Sequence, residues 1–140
     1  MPRFLLDTCV LSEIRHPNGD QAVKIAVDAI DDRDLYVSVI SFGEIRRGIL
    51  MLREGRQRAT LTDWAETLES VLATQTLDVD LATTRLWAEL TVEARKRGRQ
   101  IPTADGLIAA TALRHGLTVL TRNIRDFAPT GVPTVNPWSS

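Results

Sequence analysis

The sequence predicts an α/β fold in which a mainly parallel sheet carries helices on both faces. Short apolar runs rich in Leu and Val alternate along the chain with segments whose apolar residues recur at helical spacing. Strands that alternate with helices are joined by crossover connections, which make neighbouring strands parallel. The length of 140 residues suits one domain, so we expect a single domain over residues 1–140.

Five short apolar runs are predicted as strands: 3–7 (RFLLD), 35–39 (LYVSV), 76–79 (TLDV), 117–120 (LTVL) and 132–136 (VPTVN). The last is expected at an edge, because Pro133 cannot pair fully. Six segments are predicted as helices: a short one from Thr8 to the break at HPNGD (16–20), then 21–30, 41–55, 61–73, 81–98 and 103–116.

Residues that favour helix ends mark several of these boundaries. Asp20 is a candidate N-cap for 21–30, Thr62 for 61–73 and Thr103 for 103–116. Gly55 is expected to close 41–55, and Gly98 to close 81–98 after a run of basic residues that suits the helix dipole.

Composition excludes several classes of protein. The chain is 44% hydrophobic and 25% charged, as in ordinary soluble domains, and its net charge of -1 gives no bulk indication of nucleic acid. One cysteine allows no internal disulfide, and two histidines cannot form a zinc site alone. We find no apolar run of the ~18 residues that a membrane helix needs, and no signal peptide. We therefore expect a cytoplasmic protein without a membrane span.

Polar side chains follow three of the predicted strands, at the edge where ligands bind in parallel sheets. They are Asp7 after the first strand, Ser41 and Glu44 after the second, and Thr121, Asn123 and Asp126 after the strand at 117–120. Asp105 joins them, because it continues the inward stripe of its helix formed by Ile108, Ala109, Ala112 and Leu113. Gly48, one turn after Glu44, leaves room for a ligand or another backbone.

Each acid also has a purely structural interpretation. The helix dipole favours Asp105 in a first turn by ~0.3–1 kcal/mol. Glu44 could pair with Arg47 at i+3, Asp7 could cap the helix that follows it, and Asp126 could be an ordinary turn residue. None of these explains why four acids converge. Carboxylates held together repel each other unless a cation joins them, and Mg²⁺ or Mn²⁺ suits oxygen ligands.

The motifs LLDTCVLSE, SFGEIRRG, TADGLIAATALRHGLTVLTRNIRDF and the closing NPW resemble the PIN-domain ribonucleases, above all toxins of the VapC and FitB type. The resemblance covers residues 3–138 and implies an α/β/α sandwich. It places the family's acidic positions on Asp7, Glu44 and Asp105. For the fourth position, Asn123 stands where some members have aspartate, and Asp126 is the nearest acid.

The resemblance implies a Mg²⁺-dependent endoribonuclease, with Mn²⁺ as an alternative ion. Asp7 and Asp105 are expected to hold the metal directly, and Glu44 and Asp126 to complete the site through water or a second ion ~3.5–4 Å away. Small hydroxyls at Thr8 and Ser41 match family positions near the metal. Lone Cys9 lacks an identifiable His partner, so nucleophilic catalysis is not expected.

Arg46, Arg47, Arg122 and RKRGR (95–99) are candidates for phosphate contacts, although RKRGR also suits a solvated helix end. The resemblance implies structured RNA as substrate, a small cognate antitoxin and a homodimer. Helices 41–55 and 61–73 carry many apolar residues, more than one sheet face readily covers, and an exposed remainder would mark an interface.

Two other functions compete with this one. A signalling receiver also gathers acids at strand ends, but it needs a Lys after a late strand, and none follows LTVL. A catalytically weak PIN fold that acts by partner or RNA binding is supported by Asn123 in an acidic position. It ranks second, because Asp7, Glu44 and Asp105 all remain.

Overall fold

Five parallel strands form the central sheet of the computed structural model, which describes residues 2–138. They are β1 (Phe4–Leu6), β2 (Leu35–Ser38), β3 (Thr76–Leu77), β4 (Thr118–Leu120) and β5 (Thr134–Val135). Their order is β3-β2-β1-β4-β5, and every neighbouring pair is parallel. The predicted α/β class is confirmed, and the edge position expected for the last strand is observed.

Seven α-helices connect and cover the strands within the described residues. They are α1 (Thr8–Arg15), α2 (Gln21–Asp28), α3 (Val39–Leu50), α4 (Arg56–Val71), α5 (Leu81–Lys96), α6 (Thr103–His115) and α7 (Ile124–Phe127). None of the helices in residues 2–138 combines the length and apolar character needed to cross a bilayer.

Successive side chains of β1 point to opposite faces of the sheet and divide the core in two. Leu6 packs with apolar residues of α1, α2, α3 and α4 on one face. Leu5 packs on the other face with apolar residues of α6 and with Phe127 of α7. The result is the expected sandwich of helix, sheet and helix layers.

The register of the sheet aligns the carboxyl ends of its three central strands. Leu6 of β1 lies opposite Val37 of β2 and Leu120 of β4. The next backbone N–H, at Asp7, donates to the carbonyl of Leu120 at 3.0 Å. The residues that follow these strands therefore emerge side by side at one sheet edge.

Two helices differ from the prediction between residues 38 and 73. The Ser38 side chain caps α3 by accepting from Ile40 N, so this helix begins earlier than expected. Gly55 does not close α3, which ends at Leu50; it stands at the N-cap of α4 with φ of 155°. Thr62 is not a cap, because α4 already begins at Arg56 and the Thr62 hydroxyl donates to the Arg58 carbonyl within it.

Of the other predicted helix ends, Asp20 and Gly98 are confirmed and Thr103 is corrected. Asp20 caps α2 through Ala22 N, and Gly98 and Gly116 take the left-handed conformation after α5 and α6. Thr103 is not the cap of α6: Pro102 occupies that position, and no side chain caps the helix.

Candidate acidic site at the carboxyl edge of the sheet

Asp7 is almost fully buried, with 3% of its surface exposed, and three donors satisfy its carboxylate. Thr8 N donates to Oδ1 at 2.8 Å, and the buried Thr121 hydroxyl donates to Oδ2 at 2.8 Å. The Cys9 thiol adds a weaker contact to Oδ2 at 3.5 Å. These bonds offset the cost of burying a carboxylate and fix its orientation. Asp7 thus caps α1 and also stands at the sheet edge.

Glu44 projects from α3 and is joined to α1 by a hydroxyl. The Thr8 hydroxyl donates to Glu44 Oε1 at 2.6 Å and lies 3.0 Å from Ser41 Oγ. Among residues 2–138, no ion pair joins Glu44 to Arg47, so the structural interpretation of Glu44 as an i+3 partner is wrong. Thr8 therefore connects the strand that ends at Asp7 to the helix that carries Glu44.

The pKa of Asp105 depends on the charges of the three other acids. Burial raises the pKa of this half-buried carboxyl, and the charges of Asp7, Asp126 and Glu44 raise it further, to about 6. The fold therefore brings Asp7, Glu44 and Asp126 within electrostatic reach of Asp105. Asp126 lines a cavity together with Ile101, Pro102 and Thr103, the residues that lead into the helix of Asp105.

The ion pairs of the described residues do not include any of the four acids. Across residues 2–138, neither Lys nor Arg forms an ion pair with any of them. In the same part of the chain, no three acidic, His or Cys side chains are close enough to ligate one ion together. Mg²⁺ needs only one or two carboxylates besides water, so the oxygen donors present fit that ion.

The predicted arginines fall in different environments. Arg46 forms an ion pair with Glu69 of α4 at 3.4 Å, whereas Arg47 is exposed. Arg122 is exposed directly after Thr121, with its guanidinium 5.4 Å from the centre of the Trp138 ring. Of these three arginines, Arg47 and Arg122 are thus the two with exposed side chains and no ion pair within residues 2–138.

Two residues of RKRGR have structural partners at the end of α5. Lys96 pairs with Glu93 at 3.5 Å, and Arg97 donates to the Pro129 carbonyl at 3.3 Å. These contacts agree with the interpretation of this run as a solvated helix end.

Asn123 contributes its backbone to the site. Its N–H donates to Thr121 Oγ1 at 2.9 Å, while the Thr121 hydroxyl proton goes to Asp7. Asn123 therefore holds Thr121 in place, a role that a motif comparison could not assign.

Sequence reasoning missed the close contact beneath Asp105. Gly106 is buried, and a Cβ at this position would lie 2.9 Å from Trp87 Cδ1 and 3.2 Å from Ile101 Cγ2. The glycine thus lets the first turn of α6 pack directly on the Trp87 indole. The only local signal is the glycine after Asp105, which by itself does not identify Trp87 in α5.

The environment of Cys9 is unfavourable for a nucleophile. Burial raises the pKa of its thiol to about 11, and the neighbouring Asp7 charge contributes to the rise. The thiol therefore remains protonated and unreactive at neutral pH.

A cavity of about 200 Å³ opens beside Glu44, between α1, α3 and α4. Its apolar wall consists of Ile45, Ile49, Leu52, Leu61 and Trp64. A Cβ at Gly48 would meet nothing within 4 Å, so this residue leaves the cavity open. A groove with one apolar wall, which is also lined by Ser12 and Arg15, therefore leads to Glu44.

Comparisons with known proteins agree with this geometry. The family model described as PIN domain matches residues 4–131. A relative called VapC ribonuclease Y4jK, from Sinorhizobium fredii, is 37% identical over 136 residues, which cover 96% of this chain and 97% of the relative. Toxin FitB from Neisseria gonorrhoeae is 35% identical over 136 residues, covering 96% and 98%. The crystal structure of FitAcB from the same species matches with a TM-score of 0.90 and 34% identity, over 98% of this chain and 99% of that one. The chain therefore belongs to the PIN-domain family, as its motifs indicated.

Proposed function

We propose that this protein is a Mg²⁺-dependent endoribonuclease that acts as the toxin of a toxin–antitoxin pair, through one domain over residues 1–140. The observation that carries the proposal is that Asp7, Glu44 and Asp126 all act on the charge of Asp105 at one sheet edge, while no Lys or Arg within residues 2–138 forms an ion pair with any of the four. The names of the relatives, VapC ribonuclease and Toxin FitB, support both halves of the proposal.

Asp7 and Asp105 are the residues that would hold Mg²⁺ directly, and Mn²⁺ suits the same oxygens. Glu44 and Asp126 would complete the site through water or a second ion. A bound divalent ion lowers the pKa of water and offsets the negative charge that develops on a phosphodiester under attack. Thr121 and Thr8 N keep the Asp7 oxygens in a fixed orientation, while the Thr8 hydroxyl holds Glu44.

Asp126 is the better candidate for the fourth acid than Asn123. The charge of Asp126 contributes to the raised pKa of Asp105, which supports a place for Asp126 in the same site. Asn123 uses its backbone to hold Thr121 and carries no charge. Arg47 and Arg122, both exposed, would contact phosphates, and Arg46 would do so only after leaving Glu69.

The test is cleavage of a fluorescent structured RNA by protein freed of any antitoxin, with Mg²⁺ and with EDTA. Asp7→Asn tests the site, because the amide keeps the shape of the side chain and removes its charge. Asp28→Asn, an exposed acid at the end of α2, is the matched control. Cleavage that needs Mg²⁺, persists in Asp28→Asn and is lost in Asp7→Asn supports the proposal. Full Mg²⁺-dependent cleavage by Asp7→Asn contradicts it.

The same assay separates the second candidate function, a PIN fold that acts by binding alone. Asn123, which is uncharged at a position where the family resemblance implies an acid in some members, favours it. Wild-type protein that binds RNA or a partner but cleaves nothing with Mg²⁺ or Mn²⁺ would establish that second function.

A small antitoxin is the proposed partner, and a homodimer the proposed assembly. Leu50, Met51 and Val71, at the ends of α3 and α4, are 57%, 72% and 68% exposed, so part of the predicted apolar surface is indeed uncovered. An antitoxin segment in the groove beside Glu44 could send a basic side chain to Glu44 and Asp105 and compete there with the metal. This would inhibit the enzyme without a separate regulatory site.

Two glycines of α3 allow a matched test of the groove. A Cβ at Gly48 or at Gly43 meets nothing within 4 Å, but only Gly48 lines the cavity beside Glu44. Co-expression with the product of the neighbouring small gene, then co-purification and light scattering, should show a complex for wild type and Gly43→Leu. Gly48→Leu should weaken it. A wild-type monomer that ignores this product contradicts the partner proposal and leaves the nuclease proposal intact.

A further inference from the structure

Trp138 lies at the same edge of the sheet as the acids. The carbonyl of Val135, in β5, accepts from Thr121 N at 3.0 Å, so the carboxyl end of β5 is beside Thr121. Trp138 follows three residues later, with its N–H donating to Asn136 Oδ1 at 2.9 Å. Its indole is half-buried and packs against the core on the α1 side of the sheet. One part of a large aromatic surface therefore faces solvent near the acidic site.

Arg122 covers this ring. Its guanidinium carbon is 5.4 Å from the ring centre, within the range of a cation–π contact. Among residues 2–138, no acid forms an ion pair with Arg122. The residue before it, Thr121, donates directly to Asp7. This cation–π pair is thus one residue away from the hydrogen bond that orients Asp7.

We propose that Arg122 and Trp138 form a stacking platform for one unpaired nucleobase next to the RNA bond that is cut. The inference rests on the proposed ribonuclease function. It adds that the enzyme would select RNA with an unpaired base beside the bond that is cut. Nucleobases that are free of a duplex stack on indole rings and on guanidinium planes, whereas paired bases offer no free face. An exposed cation over an aromatic ring therefore fits a base and its neighbouring phosphate together.

A purely structural role makes a different prediction. If the pair only anchors the residues after β5, its loss should lower the melting temperature and change binding to single-stranded and paired RNA equally. The measured quantity is therefore the ratio of the Kd for paired RNA to the Kd for unpaired RNA of the same sequence.

The experiment measures fluorescence anisotropy in EDTA, so that RNA is bound but not cut. Trp138→Leu should lower the ratio roughly 5- to 100-fold, because stacking contributes ~1–3 kcal/mol per base. Trp138→Phe, which keeps an aromatic face, should stay within about 3-fold of wild type. Arg122→Gln should lower the ratio and also reduce the slope of log K against log salt by about 0.7.

The matched control is a cation–π pair at the opposite end of the sheet. Arg3 lies over Tyr36 at 5.8 Å and donates to the carbonyl of His115, away from the acids. Arg3→Gln should leave the ratio unchanged.

The outcomes separate the two proposals. Wild-type cleavage together with an unchanged ratio in Trp138→Leu overturns the platform and leaves the nuclease standing. Wild-type protein that neither binds nor cleaves RNA overturns both. If Trp138→Leu does not fold, Arg122→Gln decides, and an unchanged ratio in that variant overturns the platform.

Discussion

Asp105→Asn should stabilise the metal-free protein at neutral pH, although it removes an acid from the start of a helix. Burial and the charges of Asp7, Asp126 and Glu44 raise the pKa of Asp105 from its ordinary 3.8 to about 6. At 1.36 kcal/mol per pKa unit, the ionised carboxyl costs up to ~3 kcal/mol. Solvent screening of a half-exposed group reduces this to about 1.5 kcal/mol. The substitution also loses the favourable helix-dipole interaction, which costs about 0.5 kcal/mol, so the expected net stabilisation by Asp105→Asn is about 1 kcal/mol.

The pH dependence has a definite sign. Between about pH 4 and pH 6 the folded protein keeps a proton on Asp105 that the unfolded chain has lost, so the stability of the wild type falls as pH rises through this range. Asp105→Asn lacks this fall. In EDTA, the melting temperatures of the two proteins should therefore separate by about 3–5 °C between pH 4 and pH 7. Groups that do not interact with Asp105 titrate equally in both proteins and cancel in the comparison.

Asp80 supplies a control of opposite sign. Hydrogen bonds from Thr83, and then the Arg114 guanidinium, lower the pKa of Asp80 to about 2. Asp80→Asn should therefore destabilise the protein at pH 7, and this loss should shrink as pH falls through about 4 to 2. A lower melting temperature for Asp105→Asn at pH 7, or a difference that does not change with pH, would refute the argument from charge repulsion. It would then favour a helix-start role for Asp105.

Three further predictions concern activity. Asp7→Asn should abolish Mg²⁺-dependent cleavage while circular dichroism shows a retained fold; unfolding of this variant would instead show that Asp7 matters mainly as a cap. Asp126→Ala should reduce kcat less than Asp7→Asn does, and equal, complete inactivation with the fold intact would mean that Asp126 is a full member of the site. Gly106→Ala should lower kcat at least 10-fold, because its Cβ would lie 2.9 Å from Trp87. Adding Trp87→Leu should restore part of that loss, and no restoration would exclude this contact as the cause.

The sequence was sufficient to predict where the acids come together, because that depends on local patterns. The apolar run before Asp7 and the inward stripe of the helix that begins near Asp105 each place one carboxyl from a few neighbouring residues. The parallel topology then brings the strand ends to one edge. The raised pKa of Asp105 reflects that shared location.

Other features depend on information that local patterns lack. The sequence pattern predicts Gly55 as a helix end, because glycine commonly follows a helix. In the structure Gly55 instead precedes α4, since glycine suits either side of a turn. The contact between Trp87 and Gly106 joins two helices, and the position of Arg122 over Trp138 depends on how β5 leaves the sheet. Such contacts arise from packing of distant segments, which no residue spacing encodes.

The hydrogen bond from Thr121 to Asp7 has a consequence for synthesis in the cell. Its partners are 114 residues apart in the sequence. The strand β1 therefore cannot pair with β4, one of its two neighbours, until most of the chain has been synthesised. At ~5–20 residues per second, a ribosome needs between about 6 and about 23 s to cover that interval. The oriented acidic edge is therefore assembled only late in translation, so a short nascent chain lacks the arrangement of acids on which the proposed nuclease activity depends.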